Sequence, residues 1–233
     1  MIEQSVLRNT IHLWSASLNQ VEGASTSILD GHERQTADRF RNAEKRLHYI
    51  KSHWLLRHIL SRYVGQQAGS IRIAYHEHGK PYLPDHTLYY SLSHSHEQWI
   101  VALTRGREIG ADIEKLEPLE GMDAIIRRYY PLNEQEKLNT LDSKQKTYAF
   151  YKNWTQMEAF VKMHRMGLYA RMNTIQKVGH GLMFEGGPDS WAACESYPMQ
   201  SEYIASIAMK GSMYPVVMMD WSRLQAKVNL REE

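Results

Sequence analysis

Trp154-Thr155-Gln156-Met157-Glu158-Ala159-Phe160-Val161-Lys162 is the stretch on which the fold turns. It lies near the end of a helix-like run that stops at Gly167. Trp154, Glu158 and Lys162 recur at i, i+4 and i+8 and so share one helix face. Taken alone, Glu158 and Lys162 also read as an ordinary exposed ion pair worth about 0.3–0.5 kcal/mol. A second stretch, Gly110-Ala111-Asp112-Ile113-Glu114, alternates apolar and acidic as a half-buried strand does. Strand geometry turns Asp112 and Glu114 to one face and Ile109, Ala111 and Ile113 to the other. Two strand carboxylates joined by a third from a helix make a donor set for a hard divalent cation.

Upstream, Ile11 to Ser17 alternates as a first strand, and residues 24–32 read as a loop. A helical pattern runs from Ala37 to Val64 and is closed by Gly65; Leu47, Ile50, Trp54 and Ile59 carry its apolar spacing. Arg39, Arg41, Lys45, Arg46, Lys51 and Arg57 make this region basic, which suits a solvated face or an anion-binding surface. Ile71–Tyr75 is a short strand, and Gly79-Lys80-Pro81 presents Lys80 from a constrained turn. Leu88–Leu92 is a strand entering a Ser93-His94-Ser95-His96 turn, Trp99–Thr104 is the next strand, and Glu108–Glu114 carries the acids.

The order of elements then recurs. Met122–Tyr130 is helical and stops at Pro131, and Asn133 with Glu136 suggests a capping box for a short helix. Ser143 or Lys144 opens the helix bearing Trp154, Glu158 and Lys162. Strands follow near 174–178, 182–185, 192–197, 203–209 and 216–220. Each half therefore pairs helices with an antiparallel sheet, an α+β class with boundaries at 1–107 and 108–233.

The 233 residues suffice for one large domain or two small ones, and the charges nearly balance at +2, so neither a nucleic acid nor a membrane partner is demanded. The single cysteine, Cys194, excludes an internal disulfide framework and fits a reducing compartment. Met1–Leu18 lacks the long apolar core of a signal peptide, and no stretch reaches a membrane span. The expectation is a cytoplasmic monomer.

The acidic strand, followed some forty residues later by Trp-Thr-Gln-Met-Glu-Ala-Phe-Val-Lys, resembles the signature of the 4'-phosphopantetheinyl transferases of the larger, Sfp type. Gly79-Lys80-Pro81 and Ser91-Leu92-Ser93-His94-Ser95 stand where that resemblance needs them, and it spans roughly residues 36 to 168. The family usually has Lys before the helix glutamate, where this chain has Met157. The resemblance implies two similar halves related by a pseudo-twofold axis, with coenzyme A phosphates held by the first half and the metal-binding acids in the second. It implies Mg²⁺ on Asp112, Glu114 and Glu158. Ser93 and His94 would meet the pyrophosphate, Lys80 the nucleotide or its phosphates, and Arg46 is the candidate for the 3'-phosphate. Lys162 would stabilise or protonate departing 3',5'-ADP, and Glu158 is also a candidate to take the serine proton. The implied partner is an apo acyl or peptidyl carrier protein. A lysine at position 157 would act as an exposed cation, a part Arg165 could take.

Two alternatives remain open in the residues. His76-x-His78 and His94-x-His96 have strand-like metal-ligand spacing and would suit a zinc hydrolase. The replacement at Met157 would suit a non-catalytic relative that binds coenzyme A or a carrier without transfer.

Overall fold

β1 (Ile11–Ser17) is apolar on both faces because both faces are covered. In the computed structural model, which describes residues 7–167, 171–200 and 202–222, Trp14 and Ala16 enter one buried cluster and Ile11 and Leu13 another. The first cluster lies under the long helix α2 (Ala43–Val64), through Leu55, Leu56, Ile59, Leu60 and Tyr63. The second joins β1 and β5 (Gln98–Arg105) to β6 (Ile109–Lys115) and β10 (Tyr203–Lys210), so the two sheets share an apolar interior.

The first sheet has the order β11-β1-β5-β4, with β4 at Leu88–Ser95 and β11 at Val216–Asp220. The second has the order β6-β10-β9-β8-β7, with β7 at Ile175–Val178, β8 at Gly181–Phe184 and β9 at Gly187–Met199. The run β1-β5-β4 is matched by β6-β10-β9: in each half the opening strand lies beside the last, and the last beside the one before it. These pairings are antiparallel. Each half also has one long helix, α2 in the first and α5 (Ser143–Met163) in the second, where α5 packs on β6, β9 and β10. The expected α+β class with two similar halves therefore stands. β11 crosses back from the second half and pairs in parallel with β1, and Trp221 just beyond it joins the first half's core.

Several local expectations are corrected. The basic helix is two: α1 (Gly31–Arg39) and α2, parted at Phe40–Asn42, where Asn42 caps α2 by accepting from the Lys45 amide. α1 begins inside the expected loop, on a capping box of Asp30 and Glu33. Gly65 closes α2 in the left-handed region, as expected. The strand expected at 71–75 is reduced to β2 (Ala74–Tyr75), hairpin partner of β3 (Pro81–Tyr82). α3 (Met122–Tyr129) ends before Pro131, but α4 (Leu132–Asn139) starts on Pro131, so Asn133 and Glu136 already lie within it and form no capping box. α5 opens at Ser143, capped by Asp142, and ends at Met163 rather than Gly167.

Two interactions fix the helices. Gly110 faces α5 so closely that a Cβ there would lie 1.8 Å from the Ala159 carbonyl oxygen and 2.6 Å from the Met163 amide nitrogen. In the first half, Arg57 is fully buried and donates to Glu33 Oε2 at 2.7 Å, to Asp30 Oδ2 at 2.8 Å and to the Ala68 and Ile71 carbonyls. Glu33 also accepts from the His53 ring at 2.9 Å.

Gly110→Val should force α5 off β6 and cost about 3 kcal/mol, the upper end for overpacking, because the obstacle is backbone; urea unfolding at neutral pH measures it. Acid should unfold the first half through Glu33. Burial alone would raise its pKa, but the His53, Asp30 and Arg57 contacts prevail and hold it below 4.5. A depressed carboxyl contributes stability above its ordinary value and loses it as pH falls through the folded value. Stability followed from pH 6 downward should therefore fall less steeply in Glu33→Gln than in the unaltered chain.

Candidate active site

The site forms where β4, at the edge of the first sheet, meets β6, at the edge of the second. Alternation along β4 sends Leu88, Tyr90 and Leu92 toward the α2 core and Ser91, Ser93 and Ser95 toward β6. Ser91 Oγ accepts from the Ala111 amide at 2.9 Å. Ser93 Oγ donates to Asp112 Oδ1 at 2.7 Å, and Ser95 Oγ donates to Glu114 Oε2 at 2.7 Å. The segment expected to turn at Ser93 is thus strand as far as Ser95, and the turn falls at His96, in the left-handed region. The three serines form a hydroxyl ladder joining the halves; their period of two was the signal for it.

Across the ladder, Gly110 lets α5 come down on β6. Lys162 Nζ lies 2.6 Å from Asp112 Oδ1 and donates to Ser93 Oγ at 3.0 Å. Asp112 is 5 % exposed and Glu158 4 %. Asp112 Oδ2 and Glu158 Oε2 are buried with no hydrogen-bond partner. Loss of hydration, then repulsion from Asp112, pushes the Glu158 carboxyl up to about 7; Lys162 opposes this and Glu114 adds to it. Glu114 is raised for the same first two reasons, against its Ser95 hydrogen bond and Lys162.

Orphaned buried carboxylate oxygens are costly, and a cation relieves that cost. Among the described residues no three His, Cys, Asp or Glu side chains already converge as a ligand cluster. What fits a hard cation is the donor chemistry: oxygen atoms, two of them unpartnered, beside one ammonium. One histidine of each pair is otherwise engaged, His76 stacked on Tyr82 at 4.2 Å and His96 3.2 Å from Glu117.

The structure joins Ser93, Asp112 and Lys162 directly, with Glu114 and Glu158 in electrostatic reach. His94 is exposed on the other side of β4. Lys80 and Arg46 make their contacts elsewhere. Lys80 Nζ donates to the Ile109 carbonyl at 2.8 Å and lies 3.4 Å from Glu108, with burial lowering its pKa. Arg46 pairs with Asp38 at 2.6 Å on the exposed corner between α1 and α2.

One expectation fails. Met157 is 4 % exposed, in the second half's core, so a lysine there would not be a surface cation. Arg165, which was expected to be able to take that part, pairs with Glu108. Cys194 is buried as expected, its thiol pushed up to about 12 by loss of hydration. Sequence reasoning missed the hydroxyl chain of buried Thr155 and Ser206 with half-buried Ser196, in which Thr155 and Ser206 lie 2.7 Å apart and Ser206 and Ser196 2.9 Å. It seats α5 on β9 and β10, and no spacing joins residues so far apart in the chain.

Both halves are represented among known transferases. Residues 108–201 match the 4'-phosphopantetheinyl transferase superfamily, and residues 12–105 match the 4'-phosphopantetheinyl transferase N-terminal family. The 4'-phosphopantetheinyl transferase HetI of Nostoc sp. is 31 % identical over 179 residues, covering 74 % of this chain and 75 % of HetI. The 4'-phosphopantetheinyl transferase Sfp of Bacillus subtilis is 26 % identical over 194 residues, covering 81 % of this chain and 85 % of Sfp. AcpT of Escherichia coli, a 4'-phosphopantetheinyl transferase, is 32 % identical over 91 residues, 39 % of this chain and 47 % of AcpT. The chain belongs to the 4'-phosphopantetheinyl transferase superfamily, and its activity is the transfer of phosphopantetheine. No described helix is long and apolar enough to cross a membrane.

The raised Glu158 carboxyl has a stability consequence. The native state holds a proton that the unfolded chain releases near 4.5, so stability declines as pH rises from there through about 7. Glu158→Gln removes the charge and the decline. In chelator, its urea midpoint should match the unaltered chain at pH 5 and exceed it at pH 8. Equal midpoints at pH 8 would mean that this carboxylate is not penalised by its surroundings.

Proposed function

We propose that the chain transfers the 4'-phosphopantetheine arm of coenzyme A to a serine of an apo acyl or peptidyl carrier protein and releases 3',5'-ADP, with Mg²⁺. The observation that carries this reading is the buried Asp112–Glu158 pair, with one unpartnered oxygen on each residue, beside Lys162 and the Ser93 hydroxyl. Without a cation these carboxylates would repel a pyrophosphate by about 1–4 kcal/mol per contact at 4 Å. Asp112, Glu114 and Glu158 would hold Mg²⁺, which supplies the positive charge that lets a pyrophosphate approach them.

The chain's own groups take the remaining parts. The serine oxygen of the carrier bonds to the phosphorus nearer the pantetheine, and the bond from that phosphorus to the bridging oxygen breaks. Lys162, already placed by Asp112 and Ser93, balances the charge growing on the departing ADP oxygen or protonates it. Ser93 would anchor the pyrophosphate together with His94, which stands on the other face of β4; Lys80 would serve the nucleotide end on leaving Ile109 and Glu108, and Arg46 the 3'-phosphate on leaving Asp38. Glu158 would also accept the serine proton. Residues 1–107 then hold coenzyme A while residues 108–233 supply the acids. We read the enzyme as a cytoplasmic monomer; the single free cysteine supports the reducing compartment.

Incubation with coenzyme A, Mg²⁺ and an apo carrier, followed by intact mass, tests the reading. The carrier should gain one phosphopantetheine, chelator should stop the gain, and Asp112→Asn and Glu158→Gln should each slow it by roughly 100-fold or more. No mass gain with the unaltered chain overturns the function; full activity of Asp112→Asn in ordinary Mg²⁺ overturns the site.

A further inference from the structure

A second ionic cluster lies across α5 from the acids, and the transfer chemistry does not use it. Glu134, in the first turn of α4, has a side chain 9 % exposed. Its Oε1 accepts from Lys137 at 2.8 Å; its Oε2 accepts from Asn153 Nδ2 at 3.1 Å and from Lys177 Nζ at 3.3 Å. Lys177 Nζ also donates to Asn153 Oδ1 at 2.6 Å. Lys177 comes from β7, the far edge strand of the second sheet, so its ammonium ties that edge to α4 and to the middle of α5. The Met157 side chain, one turn beyond Asn153, lines the same small cavity together with Glu134, Lys177, Tyr130, Ile175 and Leu182. Glu158 is the next residue.

We propose that Lys177 is a positioning residue for transfer: by bridging Glu134 and Asn153 it fixes the turn of α5 from which Glu158 projects. This rests on the reading of Glu158 given above. α5 is held against β6 at Gly110, where backbone meets backbone, and Lys177 holds it from the α4 side through Asn153. A helix held at both places presents Glu158 and Lys162 to Asp112 in one register. Released on the Lys177 side, it can shift by the fraction of an ångström to which catalytic geometry is sensitive. Lys137 reaches Glu134 from α4 itself, so its bond to that carboxylate adds no bridge to α5.

The cavity supplies a strict test, since a lysine at position 157 would deliver an ammonium to Glu134 from α5. Thermal unfolding is measured for the unaltered chain, Lys177→Met, Met157→Lys and the double variant, together with kcat and KM for coenzyme A per folded molecule. Lys177→Met should lower Tm by roughly 4 °C and kcat by roughly 10-fold with KM unchanged. Met157→Lys alone forces a second ammonium into the cavity and should also lower Tm. The double variant should return both Tm and kcat close to those of the unaltered chain. A double variant no better than the worse single one overturns the proposal. So does a Lys177→Met protein that loses stability but keeps kcat, since that is a structural tie alone. If the unaltered chain shows no transfer, the functional reading fails, and the recovery of Tm still decides whether position 157 can replace Lys177 at Glu134.

Discussion

The placing of α5 directly on β6 is the constraint from which the site follows. Gly110 removes the side chain that would keep the two backbones apart, so Ala159 and Met163 reach the strand itself. With that contact made, the strand alternation that sends Gly110 toward α5 also sends Asp112 and Glu114 the same way. The helix repeat brings Glu158 and Lys162 down beside them. A larger residue at position 110 would leave the five site residues in the chain but not in one place.

The price of that arrangement is electrostatic. Three carboxylates and one ammonium stand in a poorly hydrated place, and one oxygen each of Asp112 and Glu158 finds no donor. The serine ladder of β4 limits the cost, since Ser93 and Ser95 each satisfy one acid and Ser91 satisfies an edge amide of β6. The same hydroxyls join the two halves, so the feature that makes the acids tolerable also locates them at the junction. In the first half, Arg57 is buried but every one of its contacts is to an acceptor, which is why that charge can serve as a structural tie. The contrast separates a finished ionic cluster from one left open toward a ligand.

Much of the fold was legible in the residues. The alternation over Ile109–Glu114, the helix repeat over Trp154–Lys162, and the strands at Ile11–Ser17 and Val216–Asp220 all stand. The errors fell where a few polar residues overrule a longer pattern. Asn42 caps a new helix inside an apparently continuous one, Pro131 starts α4 two residues ahead of the expected capping box, and strand pairing with β5 carries β4 through Ser93 to Ser95.

For the site, the sequence by itself determined the donor types and their faces, because strand and helix periods are local properties of the chain. It also determined that Glu158 and Lys162 would lie on one side of α5. Only the tertiary structure decided that Ser93, Asp112 and Lys162 touch, that Met157 is buried, and that Lys80 and Arg46 are bound to other partners. Those facts depend on which strand edge meets which and on which helix face is covered. Lys162 lies 50 positions from Asp112 and 69 from Ser93, and no local period encodes such contacts.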